Sequence, residues 1–313
     1  MFTKKQEFEL LTAIKGRGEI PLKFAYLGEG AYNWVAIAQE RAKKGGINLI
    51  ERKLLSSRTE DFLRKYEGVG QLNVIDIGCG DGTPAYPILE KLNEKKIKFN
   101  YVPVDISEEM LNLAEKKIKK DFNVNSDKVL LDLDSGQFSD KIYGLRKEST
   151  ANLLLFLGST LGNFSDMNRV LSNILESMSS EDYLIIGMEM TNLVKAEQLI
   201  PHYTAEIVQN LLKFIPNKIG FNDSNSENVV NWNANENRIE VKLKLKKDVG
   251  VKVGSESFTL KKNELILLGR SAKFTEWTFT KLLSDAGFRT ELLTTSEDRG
   301  YTLSMIQPTR YSV

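Results

Sequence analysis

Between residues 71 and 191, short apolar runs alternate with stretches whose apolar residues recur every three or four positions, the pattern of β-strands joined by amphipathic helices. The runs 72–77, 99–106, 129–133, 152–157 and 183–188 are read as five strands. Between them lie three helical stripes: Ile88, Leu89 and Leu92, then Met110, Leu111, Ala114 and Ile118, then Met167, Val170, Leu171, Ile174, Leu175 and Met178. Each stripe can cover one face of a parallel sheet, so the class is α/β. Pro84 and Pro87 suit first helical turns, where a missing N–H is no loss, and Ser107 ahead of Glu108 and Glu109 predicts an N-cap with acids at the positive helix end. Every helix then starts just past the carboxyl end of a strand, the edge at which open α/β sheets bind ligands.

The flanks follow a different rhythm. The first about 60 residues read as helix without strand pattern, broken at Gly45 and Gly46. After residue 191 come a helical stretch, 196–214, and an Asn-rich segment, 217–237, read as a loop in which Trp232 packs on something. Ile239, Val241, Leu243 and Leu245 alternate with Glu240, Lys242, Lys244 and Lys246, which predicts a strand with one buried and one wet face at the start of an antiparallel meander reaching Leu268. A helix over 276–286, closed by Gly287, and two strands, 290–295 and 301–306, are expected to rejoin the first sheet.

Composition narrows the function. Forty-three Lys and Arg against 42 Asp and Glu give a formal net charge of +1, which supplies no global field for nucleic acid or a membrane surface. One cysteine, Cys79, and one histidine, His202, allow neither an intrachain disulfide nor a His/Cys metal site, so a reducing, cytoplasmic setting without a metal is expected. No apolar run approaches the ~20 residues of a membrane span, and the charged N-terminus is unlike a secretory signal. His202 follows Pro201 far from any strand end, which disfavours a Ser-His-Asp or Cys-His device. A monomer is the expected state.

The sharpest chemical signal is Asp76-Ile-Gly-Cys-Gly-Asp-Gly82, directly after a predicted strand and before a helix. Its glycines allow a sharp turn and close approach of a ligand to the backbone. The G-x-G-x-G spacing suits a nucleoside better than the pyrophosphate of a dinucleotide, which disfavours a nicotinamide-dependent oxidoreductase. A second strand ending at Asp105 places a carboxylate where it can accept from both ribose hydroxyls. Asp132, ending the third strand, can accept from an adenine amino group while Leu133 packs on the ring; it reads equally as a solvated loop acid.

The Asp-x-Gly-x-Gly-x-Gly turn, the acidic end of strand two and the strand–helix order resemble class I S-adenosylmethionine-dependent methyltransferases. Phe156-Leu-Gly-Ser-Thr-Leu-Gly-Asn163-Phe, Trp232-Asn233 with Arg238-Ile-Glu240, Ser271-Ala-Lys-Phe274 and Arg58-Thr-Glu60 are similar, more closely, to the histidine-specific methyltransferases of ergothioneine biosynthesis. The resemblance implies a seven-stranded, mostly parallel Rossmann-like sheet over 59–195 plus 271–313, with a second, α+β, substrate-binding domain over 1–58 plus 196–270. It implies S-adenosyl-L-methionine as cofactor, held by Asp76, Gly78, Cys79, Gly80, Asp105, Ile106, Asp132, Leu133, Gly158 and Ser159. A small amine or amino acid is the implied acceptor, with Tyr26, Asn163, Tyr203, Trp232, Gly269 and Ser271 as its candidate contacts. Asn163 is expected to position the amine and Tyr203 to accept or relay its proton. Tyr203 and Trp232 read equally as packing residues.

Departures from that family concern the acceptor. Gly269 stands where histidine-methylating members carry a Glu, and Leu55-Ser56-Ser57 where they carry a Tyr. Without these grips on the imidazole, a different amino acid or related amine is expected. Pro84 stands where some members carry a Lys beside the cofactor carboxylate, so that contact must be made differently. Methylation of a protein or peptide, and a catalytically silent cofactor-binding regulator, are the alternative functions.

Overall fold

The computed structural model describes residues 2–43, 46–135, 138–145, 150–190 and 197–309. The chain forms two compact units, Met1–Ile37 with Asn192–Lys273, and Ala38–Thr191 with Phe274–Val313.

The second of these is built on seven strands: β1 (Gln71–Ile77), β2 (Phe99–Asp105), β3 (Val129–Leu130), β4 (Thr150–Phe156), β5 (Tyr183–Glu189), β11 (Phe288–Thr295) and β12 (Tyr301–Pro308). Their spatial order is β3-β2-β1-β4-β5-β12-β11. The first five strands run parallel, β12 runs antiparallel to β5, and β11 antiparallel to β12. The runs of β1, β2, β4 and β5 are therefore strands because both of their faces are covered. The helices α4 (Tyr86–Glu94), α5 (Glu108–Phe122) and α7 (Met167–Ser177) bury the expected stripes. The Ser107 hydroxyl accepts from the Met110 N–H as the expected N-cap of α5. β3 is shorter than expected because Asp132 takes the chain out of the sheet, its Oδ1 accepting from the Asp134 N–H. The final helix, α10 (Glu276–Asp285), stops at Gly287 in a left-handed conformation, φ 90°.

Helix α3 (Ile47–Leu63) is the unexpected member of this unit, since residues 38–58 were assigned from sequence to the other domain. It belongs here because Leu55, Phe62 and Leu63 pack into one core with Leu72, Leu153 and Leu303. The same packing places Leu55 in the interior. Gly45, and the expected boundary at 195/196, lie outside the described residues.

The other unit joins α1 (Lys4–Arg17), a 3₁₀ turn (Leu22–Tyr26), the start of α2 (Gly30–Lys43), α8 (Ile200–Thr204) and α9 (Glu206–Ile219) to two small sheets. One sheet is β10-β7-β6, with β6 at Ser226–Asn233, β7 at Arg238–Leu245 and β10 at Leu265–Ala272; the other is the hairpin of β8 (Val249–Val253) and β9 (Glu256–Leu260). Three expectations are corrected here. The Asn-rich segment is not a loop: it ends α9 and then forms β6, which pairs along its whole length with β7. The meander is interrupted, because the β8–β9 hairpin pairs only with itself and β7 takes β10 as its second neighbour. The helix read over 196–214 is divided at Ala205, whose extended ψ of 136° breaks the ladder. In β7 the expected alternation holds except at Glu240, which is buried.

Candidate active site

β1 and β4 are neighbours in the sheet, yet the chain leaves β1 for β2 and β3 on one side before returning as β4 on the other. Such a reversal leaves a crevice at the carboxyl ends of the two strands. The glycine turn after β1 lies there, with φ of 65° at Gly78, 54° at Gly80 and 77° at Gly82. The Gly78 and Cys79 N–H groups donate to the Val104 carbonyl at 2.7 and 3.3 Å, tying the turn to β2. A Cβ on Gly78 would press on Thr160 Cγ2 at 3.1 Å, so both φ and space require glycine there.

Asp105 closes the turn from the next strand. Its Oδ2 accepts from the Gly80 N–H at 3.3 Å and its Oδ1 from the Ser107 N–H at 2.9 Å. Burial raises its pKa to about 6, against the N–H groups of Ser107, Gly80 and Ile106, which favour the charged form. At neutral pH it is mostly ionised, with lone pairs left over for further donors. Asp76, at the end of β1, accepts from the Tyr101 hydroxyl at 2.7 Å. Burial raises the Asp76 carboxyl to about 7; the Tyr101 bond opposes this, and the charges of Asp105, Glu51 and Asp81 add to it. Burial, with Asp105, Asp76 and Asp81 nearby, also pushes the Cys79 thiol up, so it stays protonated and fills space beneath the turn. Leu133 is nearly buried, and its carbonyl accepts from Asn173 Nδ2 at 3.0 Å.

After β4 the chain turns through Gly158 and Ser159, with φ of 70° and 58°. Ser159 Oγ accepts from the Glu189 N–H at 2.8 Å, and the Gly158 N–H donates to Glu51 Oε2 at 2.8 Å. Asn163 follows at the end of a 3₁₀ turn, Thr160–Asn163, half-buried. Among the described residues its carboxamide makes no hydrogen bond. Glu51 was not anticipated from sequence. It lies on the buried stripe of α3 with Leu55, Thr59 and Phe62, and the legible signal was an acid four residues ahead of an apolar face.

Tyr301 donates its hydroxyl to the same Glu51 oxygen. Room for this pair comes from Gly187 on β5, where a Cβ would run into the Tyr301 hydroxyl and into Glu51 Oε2. Gly187→Ala is therefore expected to cost about 1–3 kcal/mol by overpacking, read as a lower denaturant midpoint at unchanged slope. An unchanged midpoint would mean that the pair is not seated against β5.

The other candidates belong to the unit of Met1–Ile37 and Asn192–Lys273. Trp232 pairs with Ile239, and Ile239 with Ser271, so the three form one row across β6, β7 and β10; Val230, Val241 and Gly269 form the next row on the same face. A Cβ on Gly269 would meet Leu212 at 3.5 Å and Leu22 at 3.8 Å, so the surroundings of this position are apolar. Lys273 is buried, donates to Ser271 Oγ at 3.2 Å and lies 5.6 Å from the Tyr203 ring centroid, which brings Tyr203 and Ser271 into one cluster. Tyr26 packs edge-on against Trp34. On the opposite row Glu240 binds Asn233, Arg238 and Lys242. Burial pushes its carboxyl up, but those three partners bring it down to about 2, so this block is a structural network.

Among the described residues there is no cluster placed to hold a metal ion, and no helix long and apolar enough to cross a membrane. The family described as "Histidine-specific methyltransferase, SAM-dependent" matches residues 9–308. The chain belongs to that family. It is 23% identical over 249 residues to the histidine N-alpha-methyltransferase of Mycolicibacterium smegmatis (76% of this chain, 75% of the relative). To that of Mycobacterium tuberculosis it is 26% identical over 245 residues, or 74% of each. A solved S-adenosylmethionine-dependent methyltransferase from Clostridium acetobutylicum shares the fold, with a TM-score of 0.51 at 13% identity over 89% of this chain and 99% of that one. The protein is thus an S-adenosylmethionine-dependent methyltransferase with a Rossmann-like sheet. The sheet edge fits that cofactor: Gly78 leaves a cradle that a Cβ would fill, Asp105 has acceptor capacity to spare, and the nearby carboxylates suit a cation.

Proposed function

We propose that this methyltransferase transfers a methyl group to the nitrogen of an amino acid or amino-acid-like small amine other than histidine. Gly269 carries the reading. The resemblance to histidine-methylating members implies a Glu gripping imidazole at this place, whereas here the position has no side chain and Leu212 and Leu22 are its neighbours. Leu55, where a second grip is expected, is buried in the core of the sheet unit. A site without partners for a polar substrate group loses about 10²–10⁵ in discrimination.

The bound cofactor supplies an electrophilic methyl group, and the protein supplies alignment. In this reading Gly78, Gly80 and Gly158 give the cofactor backbone to lie against. Asp105 takes its ribose hydroxyls, and Asp132 and Leu133 take its base. Asn163 accepts from the acceptor amine and donates to its carboxylate, so that a neutral lone pair is presented in line. In the unit of Met1–Ile37 and Asn192–Lys273, Ser271, with Lys273 occupying one of its lone pairs, has its O–H free to donate, and Ser271 and Tyr203 are that unit's candidate acceptor contacts. The sheet unit is assigned to the cofactor, and the acceptor contacts other than Asn163 are assigned to the unit of Met1–Ile37 and Asn192–Lys273.

A screen of amino acids and amines with labelled S-adenosylmethionine tests this. Histidine is expected at least ~10²-fold below the preferred acceptor in kcat/KM, and histidine as the best acceptor would overturn the proposal. A Cβ at position 269 makes only ordinary contacts and needs no unusual φ. Gly269→Glu should therefore fold, and it is expected to raise activity toward histidine.

A further inference from the structure

We infer that Glu51 is a charge-selective positioning residue: with Asp76 it gives the carboxyl edge of the sheet a buried negative charge that favours a sulfonium ligand over its uncharged thioether product. The inference rests on reading the β1, β2 and β4 ends as the cofactor's seat and is independent of the acceptor's identity.

Glu51 is 3% exposed, yet its only polar partners among the described residues are two neutral donors, the Gly158 N–H and the Tyr301 hydroxyl. An amide would hold the Gly158 loop through the same N–H at far lower desolvation cost, so a carboxylate there is expensive for a purely structural peg. The fold nevertheless makes room for it, through the missing side chain of Gly187. The groups facing it are Tyr301 on β12, Asp76 on β1 and Glu189, which acts on the Tyr301 hydroxyl from the end of β5. Among the described residues no ion pair reaches Glu51, Asp76 or Asp105. The edge thus carries three acids held by neutral donors, an arrangement that a cationic ligand completes.

Burial raises the Glu51 carboxyl to about 6 against its two hydrogen bonds. Near and below that pH it carries a proton. A sulfonium favours the ionised form, so its binding near that pH makes the protonated fraction give up its proton to solvent and leaves carboxylate and cation together, while the thioether product makes no such demand. The preference for S-adenosylmethionine over S-adenosylhomocysteine should therefore grow as pH rises through that value.

Isothermal titration of the full chain with each of the two ligands, from about pH 5 to about pH 8 in buffers of different ionisation enthalpy, reads both affinity and proton release. Glu51→Gln is expected to lower the ratio of the two affinities at pH 8 by at least about tenfold, the effect of one unit charge roughly 12 Å away at an effective dielectric near 20. It should reduce proton release while leaving S-adenosylhomocysteine binding within about twofold of wild type. An unchanged ratio, or equal weakening of both ligands, overturns the charge role. Tyr301→Phe removes one donor to the carboxylate and should move the pH dependence of the ratio upward; no movement also overturns it. Should Asp105→Ala leave both affinities intact, the seat itself is misassigned.

Discussion

Asp105→Ala is expected to lose S-adenosylmethionine binding by about 10²–10⁴-fold, because a ribose diol gives up two hydrogen bonds to a charged acceptor at roughly 1.5–3 kcal/mol each. The folded state should survive the change. Burial holds Asp105 at about 6, above the ordinary 3.8 of a free aspartate. The folded protein binds more protons at this site than the unfolded chain between those two values. The group's contribution to stability is therefore present below the lower value and lost as pH rises through the upper one. At pH 7.5 the carboxylate is a liability to the fold, kept in place by the Gly80 and Ser107 N–H groups. Its removal leaves those two donors to water at a partly open edge. The expected result is an apo melting temperature close to wild type together with loss of the shift that the cofactor produces. Thermal denaturation with and without S-adenosylmethionine separates the two effects, and a variant with a full ligand shift would remove Asp105 from the cofactor's seat.

The parallel strands β1, β2, β4 and β5 were legible because burial on both faces writes them as apolar runs, and the glycine turn because its φ values admit little else. β6 was not legible. Its residues include Glu227, Asn228, Asn231 and Asn233, and most of it is only half-buried at the edge of a three-stranded sheet. A hydropathy pattern has little to report there, and pairing with β7 decides the structure. Glu240 and Glu51 were misplaced or missed for one shared reason. Periodicity assigns acids to the solvent face, whereas both are buried by partners distant in sequence or on another strand: Asn233 for the first, Gly158 and Tyr301 for the second. Family blocks such as Arg238-Ile-Glu240 marked the position without revealing that its role is a hydrogen-bond network. The same limit applies to Leu55, a substrate-side position by resemblance and a core residue by packing.

Asn163→Ala should behave in the opposite way to Asp105→Ala, keeping the cofactor and losing the reaction. The carboxamide makes no hydrogen bond with any described residue, so its removal leaves no buried group unsatisfied and should change stability by no more than about 0.5 kcal/mol. Its neighbours Gly158 and Ser159 are fixed independently, by Glu51 and by the Glu189 N–H, so the turn after β4 should keep its shape. What disappears is a group able to accept from an amine and donate to a carboxylate at once. A misaligned acceptor costs about 10²-fold in rate for a displacement of roughly 1 Å, so kcat should fall by at least that factor, with a rise in KM for the acceptor and none for the cofactor. Asn163→Asp sharpens the test. It keeps the acceptor for the amine but sets a negative charge against the substrate carboxylate, so amino acids should lose more activity than simple amines of similar size. Equal losses for both, or full activity in the alanine variant, would leave Asn163 without a part in holding the acceptor.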